Sequence, residues 1–175
     1  MQGKSSREET FKRVYEHVYP IIYRVVLRIS GREDLAEELC QEAFIKYYER
    51  IHKFPNDDQA KYWLIRVAKN LALNVAKRSG RELRAYERVV YEPAAESRGG
   101  EEELIRQESA IEVQEALNQL PDKMRSVLVL KEYSDLNYKE IGAVLGITEG
   151  NVKVRVHRAR EQLLALLQRS DSDAS

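Results

Sequence analysis

Three features of the 175 residues predict an all-α chain of two small helical domains joined by a flexible linker. The chain has only 8 Gly and 4 Pro, and 33% of it is charged, a balance that favours helices over strands. Successive runs place apolar residues three and four apart, the period of one helix face. Between them, residues 89–108 carry a proline, a Gly-Gly pair and an acidic run, and composition there turns from basic to acidic. Such a stretch marks a boundary, so we divide the chain into 1–88, a linker 89–108, and 109–170.

Residues 1–10 are polar and expected to be loose. Phe11, Val14, Tyr15, Val18, Ile22, Val25, Val26 and Ile29 then form a helical stripe, with Pro20 either kinking it or starting a second helix. Ser30-Gly31 ends the run. A second helix is predicted over Glu33–Ile51, with Leu35, Ala36, Leu39, Cys40, Ala43, Phe44, Tyr47 and Ile51 apolar and Glu38, Gln41, Glu42 and Lys46 on another face. A solvated surface is the plain reading of that acidic stripe. Phe54–Gln59 is a turn-rich break. The basic helix after it has Trp63, Leu64, Val67, Leu71 and Val75 as its predicted core set, with cations and Tyr62, Asn70 and Asn74 elsewhere. Rings and amides among cations suit single-stranded DNA, where bases stack and cations follow phosphates. Trp63 reads as core, and Tyr62 as the better stacking residue.

A helix is expected from about Ser109 to Leu120, and Pro121 with Asp122 suits the first turn of the next. The clearest local pattern is Tyr138–Arg160. Asn137 and Glu140 have capping-box spacing, Ile141, Val144 and Leu145 share a face, and Gly146 follows where a left-handed residue ends a helix. Thr148 can cap a second helix in which Val152 and Val156 pack inward. Lys153, Arg155, His157, Arg158 and Arg160 are read as its opposite, basic face. Helix, glycine turn and basic helix make a helix-turn-helix, whose second helix suits the major groove. Residues 170–175 read as a polar tail.

Net charge is zero, but it is segregated. Lys61–Arg88 has eight Lys and Arg against Glu82 and Glu87; Glu101–Asp122 has seven acids against Arg106. Separate surfaces for polyanionic and basic partners follow. The single cysteine, Cys40, excludes an internal disulfide and a thiolate zinc cluster. No apolar run approaches the roughly 20 residues that span a bilayer, and no signal peptide opens the chain, so a cytoplasmic protein without membrane insertion is expected. No phosphate-cradling glycine loop, metal cluster or nucleophile–base pair is present; neither an enzyme nor a cofactor is expected.

Together these residues resemble a bacterial RNA polymerase sigma factor of the extracytoplasmic-function group, over nearly the whole length. EELCQEAFIKYY is similar to the group's DLxQExF signature, and WLIRVAKNLALNVAKR to its W-L-x-x-I-A-x-N pattern. The run from Leu120 to Leu163 looks like its fourth region. The resemblance implies binding to core polymerase, at the β′ coiled coil through Asp34, Glu38, Gln41, Glu42 and Ile45, and at the β flap. It also implies that a base flipped from the minus-ten element is held by Asn56, Lys61, Tyr62, Arg66, Lys69, Asn70, Lys77 and Arg78. Thr148, Asn151, Lys153, Arg155, His157, Arg158 and Arg160 would meet the minus-thirty-five element. There Lys153 and Arg158 are the base-edge candidates, and Arg155 and Arg160 the phosphate ones. A regulating anti-sigma protein is a further implied partner. Glu101–Glu103 could either mimic nucleic acid in the polymerase or simply keep a tether soluble. Departures from the pattern are Leu35 and Asn74 where acids are common, Val154 where a small polar residue is common, and Gly142 in place of alanine. A stand-alone dimeric helix-turn-helix regulator is the other reading, and it leaves the first 88 residues without work.

Overall fold

In the computed structural model, residues 2–85 and 101–173 are described, and they form seven α-helices and no strand. The first half is built on α1 (Gln2–Ser30), α2 (Glu33–Arg50) and α3 (Asp57–Ala85), with a 3-10 turn at Ile51–Lys53. Val14, Val18, Ile22, Val25, Val26 and Ile29 of α1 are buried, as their spacing predicts. Each such side chain contributes about 1.5–3 kcal/mol through burial. Pro20 lies inside α1 on its exposed side, where water can take the place of the N–H that the ring lacks. The helix also reaches back through residues 2–10, expected to be loose. Arg7 ties this turn to α2 by donating to the Tyr48 carbonyl and lying 4.2 Å from the Tyr48 ring.

The buried face of α3 differs from the predicted set. Leu64 is buried, but Trp63, Val67, Leu71 and Val75 are half-buried, and the fully covered residues are Ala60, Ile65, Ala68 and Ala72. Ala60, Ala68 and Ala72 thus share the buried face with Leu64 and Ile65, where α3 packs on α1 and α2. The break at Phe54–Gln59 is also shorter than its composition suggests, since Asp57, Asp58 and Gln59 already form the first turn of α3.

In the second half, α4 (Glu101–Gln119), α5 (Asp122–Tyr133), α6 (Tyr138–Leu145) and α7 (Glu149–Asp173) enclose Leu117, Leu120, Val127, Leu130, Ile141, Val144, Val152 and Val156. Helix α4 starts well before Ser109, inside the stretch read as linker, and α7 continues through most of the predicted tail. The rest of the linker and the side chains of Glu101–Glu103 lie outside the described residues. Among the described residues no helix is long and apolar enough to cross a membrane.

The two halves pack on each other: α1 against α4 and α5, and α3 against α6. Arginines seated on helix C-termini hold much of this seam. Buried Arg125 donates to Ile29 O at 3.2 Å, at the end of α1, and to Leu120 O at 3.1 Å, just past α4. Carbonyls left unpaired in a last turn carry partial negative charge, which suits a guanidinium. Burial nonetheless pushes the Arg125 pKa down, and its Nε has no hydrogen-bond partner. Arg24 donates to Tyr133 O at 3.2 Å and to Asp135 at 2.9 Å, beyond the end of α5. Gly31 closes α1 at φ +64°, with the Asn118 amide 3.1 Å from where a Cβ would stand.

Candidate nucleic-acid interface

The helix-turn-helix is fixed by backbone groups that would otherwise be orphaned. Asn137 Oδ1 accepts from Glu140 N at 2.9 Å, and the Glu140 carboxylate accepts from Asn137 N at 2.8 Å, completing the predicted capping box. Gly146 ends α6 at φ +68°. Thr148 Oγ1 accepts from Asn151 N at 3.2 Å, so its hydroxyl caps α7. At Gly142 a Cβ would stand 2.6 Å from Ile147 O. Glycine there is what lets α6 meet the turn, a requirement that helix propensity alone does not reveal.

Along α7 the cations do not share one face. At about 3.6 residues per turn, Lys153, His157 and Arg160 line one side, and Asn151, Arg155 and Arg158 the other. Val154, 48% exposed, stands on the crest between them. Lys153 pairs with Glu149 at 3.4 Å, and His157 with Glu161 at 3.4 Å. Arg160 donates to Glu132 of α5 at 2.6 Å, which ties it to its own fold. Arg155 is half-buried, and Arg158 is exposed.

On α2 the five residues expected at the polymerase are all outside the core. Asp34 accepts from Arg32 Nε and Nη2, at 2.9 and 2.7 Å, and that hydrogen bonding keeps its carboxyl below the usual range. Glu38 and Gln41 are exposed; Glu42 pairs with Lys46 at 3.5 Å. Ile45, 62% exposed, is an apolar knob among these acids. Beneath them Cys40 is buried, and burial, with Glu37 second, pushes its thiol up to about 12, so it is an inert core residue.

The start of α3 forms the third surface. Asn56 Oδ1 accepts from Gln59 N at 2.9 Å, so this side chain caps α3. Phe54 packs on Trp63 with ring centroids 5.3 Å apart, and on Tyr47 at 5.5 Å. Arg13 of α1 grips Asp57 through two hydrogen bonds, at 2.6 and 3.0 Å; the pair is too far apart in sequence to be read there. Phe54, Asn56, Tyr62, Trp63, Arg66 and, from α6, Ala143 line a cavity of about 460 Å³.

The structure divides the eight residues expected at this strand. Tyr62 donates to Glu140 Oε1 at 3.0 Å. Arg66 donates to Val144 O at 2.7 Å and to Ala143 O at 2.8 Å. Lys77 pairs with Asp122 at 3.2 Å. Lys69 lies between, half-buried; burial first and the Arg66 charge second lower its pKa. All four face the second half of the chain. Asn70 and Arg78 are exposed, and Lys61 is half-buried on another side of the helix.

Residues 14–82 match the model of Sigma-70 region 2, and residues 110–163 that of Sigma-70, region 4. The ECF RNA polymerase sigma factor SigW of Bacillus subtilis is 34% identical over 137 residues, covering 71% of this chain and 71% of that one. The RNA polymerase sigma-H factor of Pseudomonas aeruginosa is 32% identical over 138 residues, covering 74% of this chain and 72% of that one. A solved structure of the sigma factor RpoE in complex with the anti-sigma factor NepR, from Bartonella quintana, superposes with a TM-score of 0.66 at 28% identity. It covers 90% of this chain and 96% of that one.

Proposed function

The chain belongs to the extracytoplasmic-function group of sigma-70 factors, and on that premise we propose how its surfaces divide the work of a promoter-directing sigma factor for RNA polymerase. The observation that carries the reading is the order of surfaces along one chain. An acidic helix with an exposed isoleucine comes first, then an aromatic cavity beside cations, then a capped helix-turn-helix.

Residues 1–88 form the domain that binds core polymerase and the minus-ten element, and residues 109–170 the domain that binds the minus-thirty-five element. Asp34, Glu38, Gln41, Glu42 and Ile45 dock on the β′ coiled coil, where the isoleucine supplies apolar contact and the acids choose a basic partner. The second domain reaches the β flap. In the cavity at the start of α3, Tyr62 stacks a base turned out of the non-template strand, while Arg66, Lys69 and Lys77 follow its phosphates. Unstacking costs a few kcal/mol, and stacking returns about 1–3 kcal/mol per base, so opening proceeds without a nucleotide fuel. Lys61, Asn70 and Arg78 serve the flanking duplex. Asn56 acts by setting the loop, because its oxygen is used in the cap.

On α7, Lys153 and Arg158 flank Val154 and read base edges, each with about 1–3 kcal/mol of discrimination. Arg155 meets a phosphate, whereas Arg160 braces α5. An anti-sigma protein is the further partner, by similarity to RpoE, which is solved with one. Sigma factors of this kind direct the polymerase and perform no catalysis of their own. The test is transcription by bacterial core polymerase on a genomic promoter library, with and without the protein. Transcripts that depend on it support the reading. Footprints by the protein alone on duplex sites, with no transcripts, would replace it with a stand-alone regulator.

A further inference from the structure

We propose that Val154 selects a thymine in the minus-thirty-five element by packing on the methyl group of that base. The inference rests on the assignment of α7 to this element, and it adds an apolar reader to the charged ones.

A single exposed apolar side chain is ordinary on a protein surface. What sets Val154 apart is its place. At about 3.6 residues per turn, it stands opposite Val152, Val156 and Ala159, which are buried in the core of the domain. It therefore marks the outermost line of the helix, and 48% of it is exposed. Gly150, one turn earlier, and Arg158, one turn later, continue that line as a ridge. The backbone of Gly150 is ordinary helix, and among the described residues an added Cβ there would meet nothing within 4 Å. Valine and glycine are both poor residues for an exposed helix position, so neither of them serves α7 itself. Together they leave a bare, apolar stretch that can come close to the floor of a groove.

The polar neighbours on one side are engaged within the protein. Lys153 pairs with Glu149 and lies 5.8 Å from the centre of the Tyr138 ring. His157 pairs with Glu161, and Arg160 with Glu132 of α5. At the crest, then, the helix offers an isopropyl group and no hydrogen bond. A polar base edge facing it would lose its water without a replacement. Among the four base-pair arrangements, only those with thymine present a methyl group in the major groove, and that is the surface a valine matches. Val154 and Arg158 are about 6 Å apart along the axis, at about 1.5 Å per residue. With base pairs about 3.4 Å apart, the thymine falls within about two base pairs of the base that Arg158 holds.

The experiment uses the holoenzyme. Transcription from the promoter library first gives the minus-thirty-five elements it uses. On one of them each thymine is replaced in turn by deoxyuridine, which removes the methyl and keeps the pairing and the O4 acceptor. The affinity of the holoenzyme for the fluorescein-labelled duplex is then measured with the wild type and with Val154→Ser, a change on the side of α7 away from the core. We expect one replacement to weaken the wild type roughly 3- to 5-fold, the loss of about one buried methyl group. Val154→Ser should bind the thymine and uridine duplexes equally. Elements without a thymine would overturn the proposal, as would a wild type indifferent to every uridine. A uridine effect that persists in Val154→Ser overturns it too, because another side chain then touches the methyl. In all three cases transcription still depends on the protein, so the sigma reading stands. If no transcript depends on it, the assignment of α7 fails first, and the proposal with it.

Discussion

Gly142→Ala sets two magnitudes of opposite sign against each other. By helix propensity alone, alanine within α6 should stabilise the fold by about 1 kcal/mol. The structure gives the opposite sign. The new Cβ would lie 2.6 Å from Ile147 O, a backbone atom that cannot rotate away. Moving that carbonyl outward also moves Ile147 N, which donates to Gly142 O at 3.0 Å beside the Gly146 N–H. Overpacking of this kind costs about 1–3 kcal/mol, and a weakened hydrogen bond adds about 0.5–1.5 kcal/mol. Against the propensity gain, the net expectation is a loss of roughly 1–3 kcal/mol. Urea unfolding of both proteins reads it as a lower midpoint at an unchanged slope. A midpoint equal to or above wild type would refute the close crossing and return the decision to propensity.

Three further outcomes are expected. Lys153→Ala and Arg158→Ala should each blur promoter choice, by about 1–3 kcal/mol at one position, with core-polymerase affinity unchanged; lost polymerase binding would sink the division of labour. Ile45→Asp with Glu38→Lys should weaken core binding in a pull-down titration and leave single-stranded DNA binding as it was, and equal losses in both would contradict separate surfaces. Cys40 has a folded pKa raised to about 12 by burial. Its contribution to stability is therefore full below the unfolded value, near 8.5, and is lost as pH rises towards the folded one. Denaturant titrations at pH about 8 and about 10 should show wild type losing roughly 1–2 kcal/mol more than Cys40→Ala; parallel losses would mean that the thiol is not shielded.

Much of the candidate site was legible because its determinants are local. The capping box of Asn137 and Glu140, the left-handed Gly146 and the Thr148 cap each involve residues within a few positions of one another. Misreadings arose where packing partners decide. On α3, Ala60, Ala68 and Ala72 are covered together with Leu64 and Ile65, while Trp63, Val67, Leu71 and Val75 are half-buried, so ranking positions by apolar size chose one flank of the buried face. On α7, a count of cations suggested one basic face, whereas the buried Val152, Val156 and Ala159 divide them into two rows beside Val154.

The sequence by itself determined the helical class, the caps, the helix-turn-helix, the family and the exposed acidic stripe, because periodicity and short-range hydrogen bonding are written in neighbouring residues. Only the tertiary structure decided that Tyr62, Arg66 and Lys77 meet Glu140, the end of α6 and Asp122. Those contacts join positions tens of residues apart, and their geometry depends on how both halves pack. The same donors suit a carbonyl, a carboxylate or a phosphate equally, so residue type alone could not say which of these oxygens they hold.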